Sequence, residues 1–588
     1  MSVSSRVISF ILLFMLATGA QAQRVRGLMV YHYSGQTFVA WQSAGSSVKQ
    51  YTVYRSRSPL RTALALRQAE QRISVKPGTA TNRRLSDVLQ RPAYFRLPGP
   101  SGTLDFTREY VVVTSGESGK WFYAVTATGE KGEFREVRPG KNATASAVRE
   151  YTTIPSPVHQ GRFPHMGRSI DVFVHWVTDH DIPGYPAMSN IASQPFNFAL
   201  QKNGKADKHP LIVRMHGRGD NFLNHSNSVD NPQEYVLALD DELPGTLSST
   251  FWFGYDRGLD INRRGGLQSA PGEGVVDYTM RRVQWTIDWA LRRLPIDSTR
   301  VFLSGISMGG SGVAFSLFGL GSRIAAALAT IPRLDYASFD SLETPQGKSA
   351  HRVFQALWGS VDRNPRMFDG RAVYDMLNFG SRMRSVDLRN FPPLRVISGR
   401  ADSVVGWKQA LGSMRSADAA GAGVEFFWDD RGHDAHGEHP WTPQKNLVDF
   451  ARYRGNRSWP AFSRVSTNPD PTLVSPGSWN AAVTWYEPVI DEADRWSVGL
   501  KRAALEMQDS LSVASGTLTT DVTPRRLQRF LVTRGMWFAW SLTIGKDEIA
   551  SGKVRAVRDG ELTVPDLPVP KLPSRLEIRS VPGPVFDR

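Results

Sequence analysis

The sequence predicts an α/β chain, with a doubly wound, mostly parallel sheet at its centre and β-sandwich-like domains on its N-terminal and C-terminal sides. Three observations predict this. Between about residues 165 and 455, short apolar strands alternate with segments of helical period. From 23 to 154, and again from 458 to 588, the pattern is short strands separated by polar turns. The 588 residues, 41% hydrophobic and 21% charged, are enough for several packed units.

The chain opens with Arg6, an apolar run over residues 7–16 and the small-x-small triplet Ala20-Gln21-Ala22. This predicts a signal peptide over residues 1–22, cleaved after Ala22, and a secreted or periplasmic protein. The run is shorter than the roughly 20 residues that span a bilayer, so no stable membrane anchor is expected. The sequence has no cysteine, which excludes disulfides, thiolate metal sites and thiol catalysis. The net charge of +16 accompanies no nucleic-acid motif. It suits either plain solubility or an anionic envelope polymer or polysaccharide as partner.

In the first β region, TFVAW (37–41), QYTVYR (50–55) and WFYAVTA (121–127) alternate as strands, and a turn follows at Gly129. These strands resemble a fibronectin type III domain; residues 60–111 form an insert that departs from its pattern. Pro, Gly, Gln and His mark a boundary near 155–164. Residues 169–177 read as an edge-type strand and 197–200 as another short one. LIVRM (211–215) reads as a buried strand that runs into HGRG (216–219). Residues 278–294 have helical spacing, with Val283, Ile287, Ala290 and Leu291 on one face. VFLSG (301–305) is the next strand and 312–318 a following helix; 394–399 and 424–428 are two further strands. Beyond 458, AAVTWY (481–486), WSVGL (496–500) and GMWFAW (535–540) read as strands of the last domain.

The chemistry concentrates at Gly305-Ile306-Ser307-Met308-Gly309-Gly310. A G-x-S-x-G between a strand and a helix holds the serine hydroxyl out on a tight turn, where the small residues let the backbone pass close to itself. The alternative is a glycine-rich turn with Ser307 as a helix N-cap. A hydroxyl needs a base to remove its proton, and the order expected here is serine, acid, histidine. Asp402 follows an apolar strand in SGRAD, and His433 lies in the Gly-His loop after the strand that ends at Trp428. His433 is the candidate base and Asp402 the group that orients it. Asp362 and Asp430 are lesser candidates for the acid, and His436 and His439 for the base. The His-rich stretch 433–439 matches no zinc spacing, so neither a metal nor a cofactor is expected. For an oxyanion, the candidate donors are the main-chain N–H groups of Met308 and Arg218, with Gly217 allowing close approach. Gly217, Trp252 and Tyr255 are candidate walls of the substrate pocket. For the two rings, packing under a long loop is an equal alternative.

LIVRM, HGRGD, VFLSGISMGGSG, LRVISGRADSVV and the Gly-His loop resemble the α/β-hydrolase superfamily over residues 168–454. Within it they look like the esterase and prolyl-oligopeptidase-like branch, and like the secreted polyhydroxybutyrate-depolymerase-like and feruloyl-esterase-like enzymes. The resemblance implies a serine hydrolase that cleaves a small-molecule or polymer-linked carboxylic ester. A serine peptidase of the prolyl oligopeptidase type is the alternative, but the region before 161 is too short for a β-propeller of about 40–45 residues per blade. A third reading is a non-catalytic surface-binding protein on a hydrolase scaffold.

Overall fold

The computed structural model describes residues 24–226, 234–246, 248–263, 266–338, 344–433, 452–503, 505–507, 510–512 and 518–581. The expected signal peptide and the alternative bases His436 and His439 lie outside the described residues.

A ten-stranded sheet forms the centre. Its strands, in chain order, are β1 (Val158–His165), β2 (Arg168–Val177), β3 (Gln194–Lys202), β4 (His209–Met215), β5 (Tyr235–Leu239), β6 (Ile296–Ile306), β7 (Ala326–Thr330), β8 (Leu394–Gly399), β9 (Val424–Asp429) and β10 (Gly477–Trp479). The spatial order is β10-β9-β8-β7-β6-β4-β5-β3-β2-β1. The pairings from β5 through β4 and β6 to β9 are parallel, while β1, β2 and β3 at one edge and β10 at the other are antiparallel. Two expectations about the ends are corrected. The sheet begins at Val158 rather than near 165, so residues 168–177 are an inner strand. The final edge strand is drawn from 477–479, within the segment read as the C-terminal domain.

The central stretch of each parallel strand is mostly apolar because both of its faces are buried. Along it, side chains alternate between two cores. Leu211, Val213, Leu303, Ala327, Val396 and Phe426 join one cluster, and Ile212, Phe302, Ala326, Leu328, Ile397 and Phe427 join the other. The first core takes residues from helices α1 (Tyr278–Arg293), α2 (Met308–Leu320), α3 (Pro345–Trp358) and α4 (Lys408–Ala419). The second core is shared with Trp459, Ala461, Trp496, Val498 and Val522 of the C-terminal domain. Near the antiparallel edge, Leu85 of the N-terminal domain packs on Ile170, Val172, Ala199 and Ala238. The expectation of helices on both faces is therefore modified. Among the described residues the four longest helices share one face, and β domains cover part of the other.

The N-terminal domain has two sheets. One contains Arg26–Tyr33, Gln36–Gln42 and Arg108–Thr114; the other contains Gln50–Ser56, Glu70–Val75 and Gly119–Gly129. Val39, Trp41 and Val111 from the first meet Tyr51, Tyr123 and Val125 from the second. The insert contributes a short helix, Arg83–Leu89, whose N-cap Asn82 accepts from the Leu85 N–H at 3.0 Å. Asn82 also donates to Asn197 on β3 at 2.8 Å, which anchors this helix to the central sheet. The C-terminal domain likewise pairs a three-stranded with a five-stranded sheet.

Candidate active site

Ser307 sits between the end of β6 and the start of α2, with φ 54° and ψ −120°. A non-glycine residue in that region costs about 1–3 kcal/mol, and the surroundings must enforce it. They do so by close contact. A Cβ on Gly309 would collide with the Met215 and His216 carbonyls, and one on Gly305 with the Gly309 carbonyl. The Ser307 N–H is held by the Thr330 carbonyl of β7 at 2.8 Å. The turn thus needs small residues on both sides of the serine, and it leaves the serine half-buried at the carboxyl edge of the sheet.

The three candidate triad residues come together. Ser307 Oγ lies 2.8 Å from His433 Nε2, and His433 Nδ1 lies 2.8 Å from Asp402 Oδ2. The other Asp402 oxygen accepts the Val404 and Val405 N–H groups at 2.9 and 3.0 Å. Asp402 is buried, so its orientation is set by those donors. The acid and histidine loops are laced together: the Arg400 N–H donates to the Asp429 carbonyl at 2.8 Å and the Ala401 N–H to the Arg431 carbonyl at 3.1 Å. Arg431 in turn forks onto Asp429 at 2.6–2.9 Å, both side chains buried. Asp430 is exposed beside Arg400, and Asp362 is exposed on a short helical turn.

Met308 is the first residue of α2, whose leading N–H groups have no partner inside the helix. Gly217 is buried, and a Cβ on it would lie 3.6 Å from Ser307 Cβ, so the 216–220 turn abuts Ser307. In that turn the Asp220 N–H reaches the Gly217 carbonyl at 3.2 Å and Gly219 has φ +81°. Such a turn requires glycine at its third position. Arg218 is exposed, and its guanidinium donates to Ser349 Oγ on α3 at 3.2 Å.

The reading of Trp252 and Tyr255 as pocket walls is corrected. Trp252 is 1% exposed and Tyr255 0%. The Trp252 indole donates to the His216 carbonyl at 3.1 Å and lies over Gly312, while the Tyr255 hydroxyl bonds Ser189 at 3.1 Å. Trp252 therefore packs against the site's backbone, while Tyr255 is buried against Ser189 and Tyr278. A cavity of about 770 Å³ lies between the N-terminal domain and the sheet, lined in part by Lys49, Lys76, Arg83, Asn197 and Arg263; the triad does not line it.

Sequence reasoning missed the buried ionic network behind the turn: Arg84, His216, Asp240 and Asp241. Asp240 is held below the usual carboxylate range: burial opposes its charge, but Arg84 and His216 outweigh that. His216 is raised: burial works against its charge, but the hydrogen bond and charge of Asp240 prevail. The polar residues at the end of the apolar strand YVLAL were the available signal.

No protein-family model and no curated protein matches the chain. Among solved structures it has partial likeness to an S-formylglutathione hydrolase from Agrobacterium tumefaciens, at 14% identity over 50% of this chain and 95% of that one, with a TM-score of 0.33. It is also similar to an acetyl xylan esterase from Paenibacillus sp. R4, at 15% identity over 51% and 88%, with a TM-score of 0.33. A third is the fluorophosphonate-binding serine hydrolase F from Staphylococcus aureus, at 10% identity over 48% and 96%, with a TM-score of 0.31.

Proposed function

We propose that this chain is a serine hydrolase of the α/β-hydrolase type that cleaves carboxylic esters through an acyl-enzyme on Ser307. The observation that carries this is the chain of two 2.8 Å contacts, Ser307 to His433 to Asp402, at a strained strand–helix turn. His433 takes the Ser307 proton as Oγ attacks the ester carbon. Asp402 keeps the ring in the right tautomer and offsets its positive charge. The oxyanion is received by the Met308 and Arg218 N–H groups. The alkoxide leaves with the proton from His433. Water, activated by the same histidine, then releases the acid and restores the serine.

The ester reading is favoured over the peptidase reading because the described N-terminal region is a pair of facing sheets and not a ring of blades. We read that unit as fibronectin type III-like, and the mature protein as secreted or periplasmic after loss of residues 1–22. A fluorophosphonate probe tests the chemistry: wild type labels and Ser307→Ala does not. Absence of labelling in both would favour the scaffold reading. Turnover of nitrophenyl esters but not prolyl anilides separates esterase from peptidase, and the reverse preference would overturn the substrate class.

A further inference from the structure

The guanidinium of Arg84 comes from the N-terminal domain, yet it is buried within the catalytic unit. Its Nε lies 3.0 Å from Asp240 Oδ2 and one terminal nitrogen 2.9 Å from Asp240 Oδ1, just past the end of β5. That same nitrogen donates to the Asp220 carbonyl at 2.9 Å, inside the turn beside Ser307. The other terminal nitrogen is 2.8 Å from Glu242. Asp240 in turn faces His216 Nε2 at 3.2 Å, and that nitrogen also lies 3.1 Å from the Asp241 N–H. The opposite ring nitrogen, Nδ1, lies 2.8 Å from the Gly217 carbonyl oxygen. A carbonyl only accepts, so Nδ1 carries the proton in either charge state of the ring.

The direction of one N–H follows from this. In a trans peptide the C=O and N–H point opposite ways. With the Gly217 carbonyl held toward the buried His216 ring, the Arg218 N–H of the same peptide points away from it, toward the open side where Arg218 and Gly219 are exposed. The Gly217 carbonyl is thus held twice: by the His216 ring, which faces Asp240 and through it Arg84, and by the Asp220 N–H at 3.2 Å, from a residue whose own carbonyl accepts from Arg84.

We propose that Arg84 is a positioning residue: it clasps the 217–220 turn through the Asp220 carbonyl and through Asp240 and His216, and so aims the Arg218 N–H at the oxyanion. The N-terminal domain is then an obligatory part of the catalytic site and not a spacer. This rests on the esterase reading for the role of the Arg218 N–H, and not for the clasp itself. Arginine suits the task because its planar fork serves the carboxylate and the carbonyl together, which a lysine ammonium does not.

The test uses the full chain with Arg84→Met and Arg84→Lys, read in two ways. One is amide hydrogen exchange over residues 216–226 against 308–320. The other is kcat and KM on a nitrophenyl ester. Exchange is expected to rise over 216–226 and stay unchanged over 308–320. A donor that matters only in the transition state acts on kcat, so kcat should fall about ten- to a hundred-fold with KM within about two-fold. Lysine should lose less than methionine. If Arg84→Met does not fold, Arg84→Lys carries both readouts. Unchanged exchange over 216–226 in a folded variant overturns the clasp, as does a rise that is equal over 308–320. Faster exchange there with unaltered kcat overturns the aim at the oxyanion. If wild type hydrolyses no ester, the ester reading fails on its own, while the exchange result still decides the clasp.

Discussion

Asp402→Asn is the most discriminating perturbation of the triad, because the structure dictates which way the new amide must face. One carboxylate oxygen accepts two main-chain N–H groups, from Val404 and Val405, and the other faces His433 Nδ1. An amide has one oxygen. Turning its NH₂ toward Val404 and Val405 would set donor against donor and strand both N–H groups, the buried one at Val405 costing about 1–3 kcal/mol. The oxygen therefore stays with the backbone and the NH₂ faces His433. The ring must then accept at Nδ1, which moves its proton to Nε2, the atom 2.8 Å from Ser307 Oγ. In that tautomer the base cannot take the serine proton. The expected loss in kcat is about 10⁴-fold, which corresponds to about 5 kcal/mol of transition-state stabilisation. Steady-state hydrolysis of a nitrophenyl ester measures it, with circular dichroism and the melting transition confirming that fold is retained. A folded Asn variant within about tenfold of wild type would refute the tautomer argument and the role given to Asp402.

Gly309→Ala places a methyl against the Met215 and His216 carbonyls. Overpacking of this kind costs about 1–3 kcal/mol or more, so a lower Tm and loss of fluorophosphonate labelling are expected; unchanged values of both would count against the strained elbow. Arg526 is buried and donates to the Gly321 carbonyl at 2.6 Å, at the end of α2, and to those of Ile324 and Asn390. Arg526→Met should lower the urea midpoint, since each stranded buried carbonyl costs about 1–3 kcal/mol; a midpoint equal to wild type would show that this contact between domains is idle. Burial pushes the Glu242 carboxyl up to about 7, with Arg84 pulling against it. The folded chain therefore holds a proton that the unfolded chain has lost between its ordinary 4.5 and about 7, and unfolding free energy from this group falls as pH rises through that window. Glu242→Gln should flatten that part of the denaturation profile, and an unchanged slope would remove Glu242 as its source.

The parallel part of the sheet was legible because its signals are local. LIVRM, VFLSG and the runs at 394–399 and 424–428 are mostly apolar strands, and the structure places each inside the sheet. Ser307 was legible for the same reason: a strand, a glycine-flanked turn and a helix follow one another directly along the chain. The aromatic stretch after β5 was not. Trp252 and Tyr255 give the same signal whether they line a pocket or fill a core, since what covers them comes from elsewhere in the chain.

The sequence by itself determined the period of each segment, the sharp turn at Ser307 and the chain order of Ser307, Asp402 and His433, because steric fit and hydrophobic alternation act over a few neighbouring residues. It supplied 71 Lys and Arg and 55 Asp and Glu without saying which would meet. Only the tertiary structure decided that Arg84 reaches Asp240, 156 positions away, and that Arg526 reaches Gly321, 205 positions away. It also decided that the C-terminal domain covers one face of the central sheet. The reason is burial. Removing that face and those guanidinium groups from water is favourable only when distant segments arrive together to cover and pair them, and no local window of sequence records such a meeting.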